Sequence, residues 1–359
     1  AEQAAGSGLP GALLPRPGPL VEMLLAVDCP VHVIEPPPPL GSFGRRLIAA
    51  GLRERAAVGR ALIGYSWTLA RWLRAERVDL LHCNQTRAVV EAGPAGRLAG
   101  VPVVWNVRIR ERLPRSVIRL CDECADVIIP LTERDFAGLA DEQHLLSRST
   151  IITNAVDTER FSFSGDDLAA RARLGVGGGA LVLTAGVLVP RKGFDVLIRA
   201  MAQVVRDHPD ALLFIAGDEP DMPGGCRAEL EALIGELGAQ ERVRLLGHRE
   251  DMPDLLAACD VFVLASHLEG DPAVVLEAMA TGRPVVASAP AASAVQQDIT
   301  GVVVPDGDAD ACARAISGLL ANPARARRMG ESARRVAEAR YDIRVMVRRY
   351  EAAWGRLVS

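Results

Sequence analysis

The sequence is almost without lysine. It holds 41 lysines and arginines, but only one of them, Lys192, is a lysine. A compact ammonium on a flexible stem binds phosphate differently from a planar guanidinium, so a lone lysine in an arginine-rich chain is a candidate phosphate ligand. Lys192 lies in VLVPRKGFD, between an apolar strand-like run and a helical pattern. Such a strand–loop–helix unit presents backbone N–H groups to an anion. The alternative is an incidental lysine with no role in binding.

Other features that the sequence lacks exclude several classes of protein. The apolar stretches are interrupted well before about 20 residues, so no transmembrane helix is predicted. The opening residues are small and proline-rich without a basic segment, which argues against a secretory signal peptide. Seven cysteines, spread through apolar segments, favour reduced core residues of a cytoplasmic protein. Cys121 and Cys124 have no second pair at zinc spacing, so no metal site is predicted.

Charge is distributed unevenly along the chain. Residues 41–120 hold fifteen arginines and only five acidic residues, although the whole chain carries a net charge of −4. Aromatic residues, including Trp67 and Trp72, lie within this basic stretch. A basic, aromatic face suits an anionic acceptor or an anionic membrane surface. The alternative is a solvated helix face that pairs with the acidic remainder. No nucleic-acid motif accompanies the charge, so nucleic acid is not a predicted partner.

The chain contains two successive series of alternating strand and helix patterns, one in each half. This alternation predicts an α/β protein with two doubly wound parallel sheets in tandem. The predicted boundaries are an N-terminal domain over 1–162, a glycine-rich linker over 163–179, a C-terminal domain over 180–341 and a final helix over 342–359 that packs back on the first domain.

Several polar residues directly follow predicted strands of the second half: Lys192, Asp218, His248 and Glu269. Ligands of parallel sheets bind at the carboxyl ends of the strands, so these side chains are expected to meet at one edge.

The segment EGDPAVVLEAMATGRPVVAS is the most informative in the chain. Its two glutamates, Glu269 and Glu277, are separated by seven residues, and an apolar helix pattern begins between them. A helix start offers free N–H groups and a positive dipole end to a phosphate. Carboxylates nearby accept hydrogen bonds from sugar hydroxyls. Phosphate and polyol together indicate a nucleotide sugar.

A family resemblance rests on the order of several motifs. AGVLVPRKGFDVLIRA, FIAGDEP, RVRLLGHREDM, DVFVLAS, EGDPAVVLEAMATGRPVVAS and TGVVVP follow one another through the second half, while VDLLHCNQTRA and GRLAGVPVVWNVR match more loosely in the first. Together they resemble the retaining glycosyltransferases of family 4. The resemblance implies the GT-B fold, in which two Rossmann-like domains face a central cleft.

The resemblance also implies roles for particular residues. Glu277 is expected to bind the ribose hydroxyls, Glu269 to lie near the transferred sugar and Lys192 to hold the diphosphate. Asn106, with Glu269 and Lys192, completes the catalytic set. The remaining implied donor-binding residues are Arg191, Gly186, Gly270, Ala273, Val274, Val275, His248 and Asp218. On the acceptor side the implied residues are Arg108 and His82.

The chain departs from the family pattern at three places. Val187 follows Gly186 where the family usually has an arginine, and Arg191 is the candidate substitute. Asn106 stands where the family has a histidine, and an amide cannot titrate. No opening strand with a glycine-rich loop is recognisable in residues 1–20.

The predicted function is that of a retaining, metal-independent hexosyltransferase. It takes a UDP- or GDP-sugar as donor and no further cofactor. The acceptor is a glycan, a lipid-linked saccharide or a small molecule, and the predicted location is cytoplasmic or peripheral at the inner face of the membrane. Two alternatives remain open: a degenerate GT-B protein that binds without transfer, and a nucleotide-sugar epimerase, for which the loss of a titrating group at Asn106 is unfavourable.

Overall fold

The structure is a computed structural model and describes residues 11–41, 52–108, 114–137, 139, 141–162, 167–220 and 224–358. The chain divides into two compact units, Ala1–Ile151 with Glu351–Ser359, and Ile152–Tyr350. Among the described residues, no helix is both long enough and apolar enough to cross a membrane. Six of the seven cysteines are buried, and no disulfide forms among the residues that the structure describes.

The first unit contains two parallel sheets, β1-β2 and β3-β4-β5, with helices between the strands. Its strands are β1 (Ala12–Leu14), β2 (Val31–Val33), β3 (Leu81–Cys83), β4 (Val103–Val107) and β5 (Val127–Pro130). Its helices are α1 (Pro19–Leu25), α2 (Pro38–Gly41), α3 (Leu52–Ala75), α4 (Thr86–Ala99), α5 (Arg115–Cys124) and α6 (Glu142–Ser147).

The core of the first unit forms around β4, whose five residues are all buried. Trp105 on this strand is 1% exposed, and its ring lies 6.2 Å from that of Phe136 in an edge-on arrangement. A buried indole N–H needs a partner, and Thr86 Oγ1 at the start of α4 accepts it at 3.3 Å. This bond ties α4 to the central strand.

The second unit is built on one six-stranded parallel sheet. Its strands are β6 (Leu181–Ala185), β7 (Leu212–Ala216), β8 (Val243–Gly247), β9 (Val261–Leu264), β10 (Val285–Ser288) and β11 (Gly301–Val304). Its helices are α7 (Asp167–Arg173), α8 (Phe194–Asp207), α9 (Arg227–Glu236), α10 (Met252–Ala258), α11 (Ala273–Ala280), α12 (Ala309–Leu320) and α13 (Pro323–Val336), and α14 (Ile343–Gly355) follows them.

The strand order of this sheet is β11-β10-β9-β6-β7-β8. The chain runs outward from β6 through β7 to β8, and then returns to β9 on the other side of β6. Adjacent β6 and β9 therefore form the topological switch point, where ligands of open parallel sheets bind.

Both faces of the six-stranded sheet are covered. Side chains alternate between faces along a strand, and Val182 belongs to one apolar cluster while its neighbours Leu181 and Leu183 belong to another. Helices α8 and α12 pack on the first face, whereas α10 and α11 pack on the second. A strand buried on both sides reads as a continuous apolar run, which explains why the sequence pattern of this unit is so clear.

The opening of the chain differs from expectation. No opening strand was predicted within residues 1–20, but β1 pairs in parallel with β2, and α1 follows after Gly18. The strand has only three residues, all of them half-buried, and α1 buries none of its side chains. With so little burial, neither element carries the apolar periodicity on which recognition depends.

Residues 150–153 form no strand, although Ser149 just before them bridges Ile128. Helix α3 is described from Leu52 onward, because residues 42–51 lie outside the described part of the chain. Within the predicted linker, α7 is fixed to its own unit because Arg171 donates to Asp260 Oδ2 at 3.0 Å. The two units meet in sequence after Ile151, earlier than the predicted boundary at 162.

A helical glycine in α13 tests the packing of the second unit. A Cβ on Gly330 would lie 2.0 Å from the carbonyl oxygen of Gly282, whereas a Cβ on Gly318 in α12 would meet nothing within 4 Å. Gly330→Ala is expected to lower the free energy of unfolding by about 1–3 kcal/mol through overpacking. The matched Gly318→Ala is expected to raise it by about 0.5–1 kcal/mol, as helical glycine-to-alanine changes do. Denaturant midpoints measure both, and equal midpoints would contradict the packing argument.

Candidate active site

The loop after β6 is packed against the end of β9. A short 3₁₀ helix, Pro190–Lys192, ends at Gly193, whose φ of +63° is left-handed. A Cβ on Gly193 would lie 2.1 Å from the carbonyl oxygen of Ala265, so only glycine allows this approach. The backbone N–H of His267 also donates to the carbonyl oxygen of Arg191 at 2.8 Å. These contacts place the two loops of the switch point side by side.

An ion pair joins the same two loops. Lys192 Nζ lies 2.6 Å from Glu269 Oε1, and the two side chains are only 12% and 10% exposed. Arg191 is half exposed and lies further away, with Nη1 at 3.9 Å from Glu269 Oε2. The ion pair holds the ammonium of Lys192 and the carboxylate of Glu269 at the carboxyl ends of β6 and β9. Arg191 is more exposed and lies farther from Glu269 than Lys192 does.

A cavity of about 380 Å³ adjoins this pair at the ends of β6, β7 and β8. Its walls include Gly186 and Gly217, each of which directly follows a strand. A Cβ on Gly217 would lie 1.9 Å from Gly186 O, and a Cβ on Gly186 would lie 3.3 Å from Lys192 Cε. The φ angles are +157° at Gly186 and +138° at Gly217, and both values lie in the left-handed range. The absence of side chains therefore lets the backbones of Gly186 and Gly217 approach each other and lets Lys192 lie close to Gly186.

Asp218 and His248 also line the cavity. Arg227 Nη2 donates to Asp218 Oδ1 at 2.9 Å, and this bond lowers the pKa of Asp218 below its ordinary value. Glu219 N donates to the same oxygen at 2.9 Å. Asp218 thus remains ionised while it fixes the local loop, and His248 is exposed, as is Asp218 itself.

Helix α11 begins with backbone N–H groups that have no acceptor among the residues that the structure describes. Its N-cap is Pro272, and no side chain caps it. Ala273 is exposed and Val274 is partly exposed, whereas Val275 is buried and its N–H donates to Pro272 O at 3.1 Å. The first two residues therefore offer N–H groups to an anion, and the third has an acceptor within the protein. Gly270, two residues before the cap, is partly buried.

Glu277 is half-buried on α11 and has no side-chain hydrogen bond within the described part of the chain. Burial raises the pKa of this carboxyl, and the charge of Arg160 opposes the rise. A carboxylate that has lost water without gaining a donor is a ready acceptor for ligand hydroxyls.

A residue missed by sequence reasoning lies between the two glutamates. Asp271 is 6% exposed, accepts the N–H of Asn154 at 2.7 Å and accepts the hydroxyl of Ser293 at 2.8 Å. Asn154 Nδ2 returns a bond to Asp271 O at 2.6 Å. This network anchors the loop that carries Glu269. Its one sequence signal was an aspartate directly after Gly270.

The implied acceptor-side residues come together in the first unit. Asn106 Nδ2 lies 3.1 Å from Asn84 Oδ1 and 3.5 Å from His82 Nε2. Burial is the larger cause and the nearby charge of Arg108 the smaller one that together lower the pKa of His82 to about 4. Asn106 is 1% exposed, whereas His82 is partly exposed.

Two family matches cover most of the chain. Residues 168–336 match the family described as Glycosyl transferases group 1, and residues 20–160 match Glycosyltransferase Family 4. A GDP-mannose-dependent alpha-(1-6)-phosphatidylinositol monomannoside mannosyltransferase of Mycolicibacterium smegmatis is 38% identical over 67% of this chain and 67% of its own. A D-inositol 3-phosphate glycosyltransferase of Geodermatophilus obscurus is 34% identical over 70% of this chain and 56% of its own. The chain belongs to the family 4 glycosyltransferases.

Solved structures share the fold. The Anabaena HepE protein in complex with UDP has a TM-score of 0.80 and 23% identity, covering 96% of this chain and 91% of that one. Sucrose-phosphate synthase of Thermosynechococcus elongatus has a TM-score of 0.73 and 21% identity, covering 99% and 97%. These likenesses establish the fold, which is of the GT-B type. Curated relatives are matched over a smaller share of their length, for example 53% for a Corynebacterium glutamicum mannosyltransferase.

The raised pKa of Glu277 leads to a pH-dependent prediction. Only the carboxylate accepts hydrogen bonds at both oxygens, so the protonated form should bind a nucleotide ribose less well. The dissociation constant for UDP or GDP is therefore expected to increase as the pH falls from neutral through the raised pKa. Glu277→Gln should bind more weakly at neutral pH and lose this pH dependence. Calorimetric titration over a pH series measures both, and an unchanged pH profile in the variant would exclude Glu277 as the cause.

Proposed function

We propose that the protein is a retaining glycosyltransferase that moves a sugar from a UDP- or GDP-sugar to a hydroxyl acceptor. The observation that carries the proposal is the Lys192–Glu269 ion pair, with Nζ and Oε1 2.6 Å apart at the switch point between β6 and β9. This is where open parallel sheets bind nucleotides. Lys192 lies close to Gly186, and Gly186 also lines the cavity of about 380 Å³ at the ends of β6, β7 and β8.

Leaving-group stabilisation is the chemistry that this arrangement supports. Negative charge grows on the diphosphate as the glycosidic bond breaks, and fixed donors aimed at that charge lower the barrier. Lys192 and the N–H groups of Ala273 and Val274 are the proposed donors. Glu269 shares its charge with the ammonium, which suits an orienting role better than that of a nucleophile. Attack from the face that the diphosphate leaves would retain the anomeric configuration, and no metal is required in this scheme.

Glu277 is the proposed ribose ligand, because its half-buried carboxylate has no hydrogen-bond donor among the residues that the structure describes. The named donors of relatives differ: one is GDP-mannose-dependent and another, from Escherichia coli, uses UDP-Gal. Both nucleotides therefore stay within the proposal.

A membrane surface is the proposed second partner. The exposed face of α3 carries Ile63 and Trp67, which are 63% and 54% exposed. Arg53, Arg60 and Arg71 lie on the same helical face and are exposed, and none has an ion-pair partner among the residues that the structure describes. Apolar and aromatic side chains flanked by free arginines suit the interface of an anionic bilayer. The Mycolicibacterium relative is named for a phosphatidylinositol-linked acceptor, and we propose a lipid-linked acceptor here on the same ground.

The role of Lys192 is tested by substitution. Lys192→Ala is expected to reduce kcat by about 10²–10³-fold, the usual effect of removing one preorganised donor to a developing anion. The matched control is Arg199→Ala, which removes an exposed cation from the next helix and should leave kcat unchanged. Product formation from radiolabelled UDP- and GDP-sugars measures the rate, with and without EDTA. Equal rates in the two variants would contradict the proposed mechanism.

Further measurements distinguish the proposed transferase from a degenerate GT-B protein and from an epimerase. A thermal-shift panel of UDP, GDP, ADP and their sugars identifies the donor, because a ligand at 100 times its dissociation constant stabilises by about 2.7 kcal/mol. Binding without any product above the Lys192→Ala level would support the degenerate protein instead. The anomeric configuration of the product, measured by NMR, decides whether transfer is retaining. Solvent proton exchange at the sugar C2 would favour the epimerase.

Charge reversal on α3 tests the membrane proposal. Arg60→Glu with Arg71→Glu is expected to weaken binding to phosphatidylglycerol vesicles by at least about tenfold, since each basic residue near an anionic surface contributes about 1 kcal/mol. Arg199→Glu in the second unit is the matched control and should bind as the unchanged protein does. Vesicle sedimentation at low and high salt measures the effect. Binding that ignores both the reversal and the lipid charge would exclude this surface.

A further inference from the structure

The cavity at the ends of β6, β7 and β8 has acidic walls. Among the described residues that line it, Arg249 is the one arginine or lysine. Its guanidinium is already paired with Asp251, because Nε donates to Oδ1 at 2.8 Å and Nη2 donates to Oδ2. Asp218 and Glu219 add two carboxylates to the same walls. This charge balance disfavours a phosphate, so the cavity suits an uncharged group that offers hydrogen-bond donors.

The other walls suit a flat ring. Val187 and Met252 line the cavity and are partly exposed, and Gly186 and Gly217 contribute backbone without side chains. A volume of about 380 Å³ lies within the range of small-molecule sites, in which apolar walls hold the ligand and a few polar groups orient it. Since Gly186 also lies close to Lys192, a ring in this cavity would adjoin the cation that is proposed to bind the diphosphate.

Asp218 has one carboxylate oxygen that is bonded within the protein and one that is not. Oδ1 accepts Arg227 Nη2 and Glu219 N, each at 2.9 Å. The backbone oxygen of Asp218 accepts Leu188 N at 2.9 Å, which fixes the residue to the loop after β6. Oδ2 has no hydrogen-bond donor within the part of the chain that the structure describes. It faces the end of β8, where a Cβ on Gly247 would lie 3.8 Å from it.

Nucleobases differ in what they present to such an anionic acceptor. Guanine presents two adjacent donors, the ring N1–H and the 2-amino group. Uracil presents one N–H between two carbonyl oxygens, which a carboxylate repels. Adenine and cytosine each present an amino group beside a ring nitrogen that is itself an acceptor. A fixed carboxylate oxygen therefore favours guanine over the other three bases.

We propose that this cavity binds the guanine base of a GDP-sugar, and that Asp218 Oδ2 accepts hydrogen bonds from N1–H and the 2-amino group. The proposal rests on the proposed transferase function and narrows its donor from two nucleotides to one. Asp218 is then the residue that determines the choice of base, while Arg227 and the N–H of Glu219 hold its carboxylate in place.

Nucleotide affinities of the unchanged protein test the base, and they need no transfer activity. Inosine diphosphate is the sharpest probe, because it differs from GDP only in lacking the 2-amino group. GDP is expected to bind more tightly than UDP by on the order of tenfold to a hundredfold, the range for hydrogen bonds to a charged acceptor. Inosine diphosphate should bind about tenfold more weakly than GDP. Calorimetric titration measures all three, and UDP or inosine diphosphate bound as tightly as GDP would overturn the proposal.

Asp218→Asn tests the residue through an exchange of preference. Two N–H groups point at the position of Oδ1, so the amide oxygen of the variant must lie there and its NH₂ group must replace Oδ2. Xanthosine diphosphate has a carbonyl oxygen where GDP has the 2-amino group. The variant is therefore expected to bind GDP at least about tenfold more weakly than the unchanged protein does, and xanthosine diphosphate about tenfold more tightly.

The exchange separates recognition from damage to the loop, because damage would weaken both nucleotides. Glu229→Gln makes the same chemical change on an exposed residue of α9 and is the matched control, with all affinities expected to stay unchanged. Loss of both affinities in Asp218→Asn, or a change in neither, would overturn the role of Asp218.

The outcomes also distinguish this inference from the proposed function. An unchanged protein that binds neither UDP nor GDP contradicts the transferase itself. A preference for UDP overturns the guanine assignment and leaves the transferase intact. Selective binding of GDP without any glycosylated product supports the guanine assignment and contradicts transfer.

Discussion

The arrangement of the second unit depends on one close contact. The loop after β6 meets the end of β9 where Gly193 leaves no space for a side chain beside Ala265 O, with 2.1 Å to a would-be Cβ. Adjacent parallel strands that are distant in sequence make this contact possible, because the chain reverses its direction of winding there. The Lys192–Glu269 pair crosses the same junction. Packing of the two loops thus holds a cation and a carboxylate in place before any ligand arrives, which is the preorganisation that catalysis by charge stabilisation requires.

Each unit supplies a different kind of chemistry. The second unit offers a cation, helix N–H groups and a half-buried carboxylate, which suit a nucleoside diphosphate. The first unit offers a neutral imidazole above two amides, which suits uncharged hydroxyl groups. The basic, aromatic face of α3 also belongs to the first unit. The two units therefore differ in charge: the second has a cation beside helix N–H groups, whereas the first has a neutral imidazole with two amides and the basic face of α3.

The strand–helix alternation of the second unit could be predicted from the sequence because its strands are buried on both faces. Glycines such as Gly186 and Gly217 also mark the loops that follow these strands. Continuous apolar runs such as LVLTA and VFVL gave strand positions within a residue or two. The three-residue β1 and the uncovered α1 escaped it because neither has apolar periodicity. The bond from Trp354 to His82 joins residues 272 apart, and Asp271 meets Asn154 across 117 positions. No local pattern encodes such pairings, since they arise only when distant segments are folded together.

The isolation of Lys192 in sequence has a practical consequence. Since the sequence has no other lysine, its ε-amine is the one side-chain amine in this sequence that acylating reagents can modify. Acetylation, carbamylation or a fluorescent ester at the side chain would therefore report on a single place, the junction of β6 and β9. The ion pair with Glu269 leaves that amine only 12% exposed, so its rate of labelling would follow the opening and occupation of the site. The amine of Lys192 thus serves as a built-in chemical probe of a single site, the junction of β6 and β9.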